Sequence, residues 1–244
     1  MSILLEQPLT PQAFAERLRI EGMQRYHHEH PFHRAMHEGY LTRHQLQCWV
    51  LNRYYYQTRI PIKDALILSK SDDPAFRRSW IHRIQDHDGT QEHEGGLALW
   101  RRLAQAVGLN DEDVVSLRTV LPGVRRACDD YVSFVRGAPL VEAVASSLTE
   151  LFAPDLMTRR LAAWQRHYPW VDRRGLEYFR SRISRAAQDS EQALAFVLAH
   201  ATSTDAQDRC IGALIQKTHI LWQLLDHISA ASVPGPSKEA HHHD

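Results

Sequence analysis

Apolar residues recur along this chain at steps of three and four, the period of a helix with one buried face. Leu97, Trp100, Leu103, Ala104 and Val107 keep that step, as do Val124, Cys128, Tyr131 and Val135. Strand-like alternation is absent over any useful length. Start and stop signals divide the pattern. Thr10-Pro11 opens a helix that Gly22 is expected to end. Thr42 and Gln45 have capping-box spacing and open a long helix to about Ser71, which Pro61 should kink. Asp73-Pro74 starts the next, which Gly89 ends, and Gly95–Gly108 follows. Asn110 with Asp113 caps a short helix, and Leu121-Pro122-Gly123 begins another. Pro139–Ala153, Pro154 to about His167, Asp172 to about Ala201 and Ser203 to about Ala230 complete the series. The connections are short and no internal repeat occurs. The expected architecture is a single all-α domain over residues 1–231, with a disordered tail at 232–244.

Composition narrows the function. The 244 residues carry 29 Lys+Arg against 29 Asp+Glu, so the basic excess of a general nucleic-acid or acidic-membrane binder is missing. No stretch approaches the ~20 apolar residues of a membrane span. The first ten residues lack the pattern of a secretory signal. Cys48, Cys128 and Cys210 lie far apart, which excludes a dense disulfide framework and fits a reducing cytosol. Histidine is the one excess, at sixteen. His241, His242 and His243 belong to the tail and read as a linker or tag remnant.

No G-x-G-x-x-G, Walker lysine loop, G-x-S-x-G or H-E-x-x-H is present. The Glu-x-x-His spacing of helical di-iron sites occurs only at Glu239–His242, in the tail. The chemistry must instead reside in polar residues beside apolar stripes. Arg53, Tyr56, Gln57 and Lys63 flank the stripe of Leu46, Val50 and Tyr54. Buried cations are costly unless paired, so this flank either builds a pocket for an aromatic anion or faces water and carboxylates. Arg83 and His87 stand one turn apart beside Trp80 and Ile84. His87 is either a general acid/base or a helix-terminal imidazole satisfied by the last carbonyls. Glu150, in the polar patch Ser146–Pro154, either holds a catalytic cation or pairs with Arg160 at the surface. Tyr178 and Arg182 share one face, and Lys217 lies among Leu214, Ile215, Leu221 and Leu224. His27, His28, His30, His33 and His37 crowd around Pro31 in no standard metal spacing. His28 and His33 are expected to be solvated.

Asn52–Asp64, Arg83–Gly89, Leu121–Arg125, Ser146–Pro154, His167–Trp170 and Tyr178–Arg182 together resemble the pyrroloquinoline-quinone synthase family, over about Leu9 to Asp226. The resemblance implies a compact seven-helix-type bundle, haem-oxygenase-like, in a cytoplasmic bacterial homodimer. It implies an oxidase with no metal and no organic cofactor. That enzyme closes the last ring of a tricarboxylated quinone precursor and removes eight electrons, with dioxygen as acceptor and hydrogen peroxide as a product.

On this resemblance His87, Tyr178, Arg182, His27 and Lys217 are the catalytic candidates. Arg53, Tyr56, Gln57, Lys63, Arg83, Tyr131, Thr149, Glu150 and Arg160 are the candidates for holding substrate and product. A tricarboxylate calls for several cations, and arginine forks suit carboxylates. Dioxygen reduction calls for donors aimed where the oxygen anion develops. Helices near 170–201 and 203–230 are the expected cover over the ligand. One position departs from the family pattern. Met157 stands where relatives have His, and a thioether donates no proton. The competing readings are a thiaminase-like hydrolase, which needs a cysteine nucleophile in the pocket, a non-catalytic quinone-binding helical protein, and a haem or di-iron oxidase.

Overall fold

The computed structural model describes residues 7–232; of the tail expected at 232–244, Ser232 is instead the buried last residue of the final helix, and the rest lies outside the described residues. Eleven α-helices are present among the described residues and no β-strand. They are α1 (Pro11–Arg25), α2 (Pro31–Glu38), α3 (Arg43–Leu68), α4 (Pro74–Asp88), α5 (Gly96–Ala106), α6 (Asp111–Ser116), α7 (Pro122–Gly137), α8 (Leu140–Ala145), α9 (Ala153–His167), α10 (Glu177–His200) and α11 (Thr204–Ser232). Three 3-10 segments, His27–Glu29, Ser146–Phe152 and Arg173–Leu176, join them. None of the helices is long and apolar enough to cross a membrane. The all-α expectation holds. The short helices α2, α6 and α8 stand between eight longer ones, so the count exceeds seven.

The capping signals act as read. Gln45 N donates to Thr42 Oγ1 at 3.2 Å while Thr42 N donates to Gln45 Oε1 at 2.9 Å. Asp73 accepts from Ala75 N and Phe76 N at the start of α4. Helix α3 packs against α4, α5 and α7 and forms the spine of the core. It runs through Pro61 without a break. Burial of Ile60, Lys63, Asp64 and Ile67 on both sides of the proline holds it, although Pro61 supplies no N–H to the turn before it. Trp49 of α3 meets Trp100 (ring centroids 5.4 Å apart) and Trp164 (5.9 Å).

Three expectations need correction. Gly22 does not end α1, which continues to Arg25. A Cβ at Gly22 would lie 2.6 Å from the Phe152 ring, so the glycine serves close packing rather than termination. The helix expected over Pro139–Ala153 stops at Ala145 and continues as the 3-10 segment. Its three-residue repeat puts Ser147 and Glu150 on one side, facing cations of α3 and α4. Finally, α2 has no counterpart among the expected helices. Its N-cap is His30, whose Nδ1 accepts from Phe32 N at 3.0 Å, an imidazole standing in for the usual hydroxyl or carboxylate.

Candidate active site

A cavity of about 70 Å³ lies between α3, α4, α5, α9, α10, α11 and the 3-10 segments His27–Glu29 and Ser146–Phe152. Its wall contains ten of the fourteen candidate residues: His27, Arg53, Tyr56, Gln57, His87, Thr149, Glu150, Arg160, Tyr178 and Arg182. Met157 is there too. Tyr26, Ile60, Trp100, Ala153 and Leu221 complete it and are not among the sequence candidates. Trp100 is the foreseeable one, since its indole sits edge-on to Tyr178 at 4.7 Å and belongs to a strongly periodic helix.

Four candidates lie outside this wall. Lys63 Nζ is 2.7 Å from Asp64 Oδ1 and 2.8 Å from Ser147 Oγ. Trp80 Nε1 donates to the same Asp64 oxygen at 3.0 Å. Burial alone would lower the Lys63 pKa, but Asp64 holds it above the ordinary value. Arg83 stacks on Trp80 and reaches Glu150 Oε2 at 2.6 Å and the Asp189 carbonyl. Tyr131 and Lys217 face each other, with the ammonium nitrogen 3.3 Å from the ring centroid. Lys217 Nζ has no hydrogen-bond partner among the described residues. Burial, then the charges of Lys63 and Arg53, push its pKa well below the usual lysine value.

The cavity wall itself is cationic. It contains three guanidiniums, of Arg53, Arg160 and Arg182, against the single carboxylate of Glu150. That carboxylate already pairs with Arg83. Burial works against its charge, yet Arg83, Lys63 and Arg182 hold its pKa down to about 2. Arg53 Nη1, Arg160 Nε, Arg182 Nη1 and His27 Nδ1 are buried with no hydrogen-bond partner among the described residues. Arg53 lies over the Tyr56 ring at 4.0 Å. Arg182 Nη2 has Asp189 at 3.8 Å. Burial and the charge of Arg53 lower the Arg160 pKa to about 9, which leaves it a cation at neutral pH. The expectation that Arg160 pairs with Glu150 at the surface is wrong: Arg160 is 1% exposed and Glu150 belongs to Arg83.

The two cavity imidazoles, of His27 and His87, are held toward the neutral form. His87 Nδ1 lies 3.0 Å from the Arg83 carbonyl, so it carries the proton and Nε2 presents its lone pair. His87 thus bonds the carbonyl one turn back in α4 and also lines the cavity. Burial, then the Arg182 charge, push its pKa down to about 3. Behind it α4 ends in a close backbone crossing, where Gly89 takes φ +92° and a Cβ at Gly95 would lie 2.3 Å from Gly89 N. Burial followed by Arg53 and Arg160 lowers the His27 pKa well below the usual value. Tyr178 Oη donates to Gln57 Oε1 at 3.0 Å, which leaves its oxygen lone pairs available. Burial raises its pKa. His33 is not solvated as expected but 1% exposed, and His28 is half-buried against Tyr26 and Glu29.

No cysteine lines the cavity among the described residues. Burial pushes the thiols of Cys128 and Cys210 up to about 12. The cysteine that a thiaminase-like reaction needs is therefore not among the residues of this wall. No cluster of metal-ligating side chains occurs among the described residues.

The TENA/THI-4/PQQC family model matches residues 18–227, a span that contains the whole cavity wall. This chain belongs to the TENA/THI-4/PQQC family. It is 52% identical over 223 residues to the pyrroloquinoline-quinone synthase of Ectopseudomonas mendocina (strain ymp), covering 91% of this chain and 89% of that one. The pyrroloquinoline-quinone synthase of Rhizobium meliloti (strain 1021) is 52% identical over 225 residues, covering 92% and 88%. The fold of this family member is shared with a haem-oxygenase-like domain from Shewanella denitrificans OS217, at a TM-score of 0.73 and 14% identity over 91% and 93% of the two chains. A TenA homologue from Pseudomonas syringae pv. tomato strain DC3000 gives a TM-score of 0.71 at 13% identity over 93% and 100%.

Proposed function

We propose that this protein is a pyrroloquinoline-quinone synthase, an oxidoreductase that closes the last ring of the tricarboxylated quinone precursor and removes eight electrons from it. Dioxygen is the acceptor and hydrogen peroxide a product. The observation that carries the reading is the cationic wall: three buried guanidiniums with unused donors face one already paired carboxylate. Such a wall is costly without a ligand and matches a ligand with several carboxylates. Relatives about half identical over nearly the whole chain bear the same enzyme name.

Arg53, Arg160 and Arg182 hold the carboxylates. Gln57 and Thr149 hydrogen-bond the quinone oxygens. His87 Nε2 takes protons from carbon once the bound anion offsets Arg182 and raises the imidazole pKa toward neutrality. Arg182 faces the oxygen anion as it develops, and Tyr178 joins it once its O–H turns from Gln57 toward that anion. The reduced quinonoid ring passes electrons to dioxygen itself, and the reaction needs neither metal nor organic cofactor. A cavity of about 70 Å³ has room for two or three waters at ~30 Å³ each. The ring therefore enters by displacing part of the wall, and α10, which carries Tyr178 and Arg182, is the element that moves. The protein works in the bacterial cytoplasm as a homodimer.

Incubating the purified protein with the precursor in air, and following absorbance, product mass, peroxide and bound metal, tests this. Quinone formation without stoichiometric metal is the expected result. Failure to convert the precursor, or conversion that stops when metal is chelated, would overturn it.

A further inference from the structure

His33 sits behind the cavity wall, outside the set of residues that touch the space, and makes two polar contacts. Its Nδ1 is 3.0 Å from the carbonyl oxygen of His27, and its Nε2 is 3.2 Å from Arg160 Nη2. A carbonyl only accepts, so Nδ1 carries the proton. A guanidinium only donates, so Nε2 accepts. The two contacts permit a single tautomer, the neutral one. Burial and the adjacent Arg160 charge favour the same state. The ring is fixed from three sides, with centroids 4.9 Å from His27, 6.1 Å from His37 and 6.2 Å from Trp49.

We infer that His33 is a positioning residue, which holds the Arg160 guanidinium through its Nε2 lone pair and leaves the cation undiminished toward the cavity. The chemistry of the choice is specific. A carboxylate at this place would orient Arg160 equally well but would cancel the charge that a ligand carboxylate needs. A neutral acceptor orients without cancelling. Among the described residues no other nitrogen or oxygen acceptor holds this guanidinium. Its remaining neighbours are Met157 Sδ at 3.9 Å and the faces of Trp49 and Phe179 at 5.0 and 5.8 Å. Through the His27 carbonyl the same imidazole also anchors the 3-10 turn that carries His27.

The inference rests on the proposed anion-binding function, and titration of the protein with pyrroloquinoline quinone separates the two. The variants are His33→Asn and His33→Gln. Asparagine places a donor near Nδ1 and keeps the His27 contact but loses the acceptor for Arg160. Glutamine extends its carbonyl oxygen to the Nε2 position and keeps that acceptor. His33→Asn should weaken product binding and raise KM by about thirtyfold, and His33→Gln by about threefold or less. In an Arg160→Ala background His33→Asn should have no further effect beyond about twofold. Equal losses in both variants, or an undiminished loss when Arg160 is absent, would mean a purely structural role and overturn the inference. Binding by the unaltered protein that His33→Asn leaves within about twofold would overturn it as well. Absence of binding by the unaltered protein would overturn the proposed function and this inference with it.

Discussion

Two groups of buried cations stand side by side in this protein and differ in what faces them. Lys63 and Arg83 are 1% exposed and have their partners within the fold: Asp64, Ser147, Glu150 and the Asp189 carbonyl. Arg53 and Arg160 are buried as well but have no carboxylate partner among the described residues, and Arg182 has only Asp189, at 3.8 Å. The first group is stitching, in which each charge is answered by another group of the folded chain. The second holds charge that is met weakly or not at all, around a small cavity. Burial alone does not identify a binding site, since both groups are buried. The lack of a close internal counter-charge points to one.

Four experiments break or sharpen this contrast. Lys63→Ala leaves Asp64 buried without its partner and should lower stability by about 3–5 kcal/mol, seen as a large fall in melting temperature. Arg53→Met removes a cation that nothing internal neutralises. Stability should hold or rise by about 1 kcal/mol, while product affinity falls about a hundredfold in titration. If Arg53→Met loses as much stability as Lys63→Ala, the distinction between the groups fails.

The third experiment reads the neutral imidazoles. His27, His33 and His87 have folded pKa values depressed by burial and by the neighbouring arginines. Their stabilising contribution is complete above the unfolded value near ~6.5 and is lost as pH falls from there toward the folded values, about 3 for His87. Each ring removes ~1.4 kcal/mol per pH unit in that window. Asp189, raised to about 6 by burial and by Glu150, works in the opposite sense, as do Asp64 and Asp88, while His37, lowered to about 4 by burial, adds a fourth ring to the loss. Denaturation at pH 7 and pH 5 should therefore show a marked loss, smaller in His33→Gln. A flat profile would mean that these rings are charged when folded. The smallest expected effect belongs to Met157→His. A donor at that position should speed the peroxide-dependent phase by up to about tenfold, and stopped-flow traces with every oxidative phase unchanged would count against it.

The local rules of the chain are legible where the decisive partner is near in sequence. Thr42 finds Gln45 three residues away, Asp73 finds Ala75 two away, and Gly89 follows His87 closely. The limits of this reading appear at His33 and Gly22. Both look like ordinary surface or boundary residues until Arg160 and Phe152 are brought against them. The Ser146–Phe152 segment departs from its expected helix for a related reason. Its apolar spacing suits a helix, but Ser147 and Glu150 are held by Lys63 and Arg83 from other helices, and a tighter turn presents them better.

The sequence by itself determined that the chain is helical, where most helices begin and end, and which residue types are available for acid/base and anion chemistry. Those properties follow from periodicity, caps and side-chain functional groups, all of which act over a few residues. Only the tertiary structure decided which cations are neutralised internally and which are left for a ligand. The ion pair of Arg83 and Glu150 joins residues 67 positions apart, the contact of His33 with Arg160 joins residues 127 apart, and even Lys63, paired with its neighbour Asp64, is completed by Ser147 84 positions away. Charge is a property of a residue, but whether that charge is answered depends on what the folded chain places opposite it.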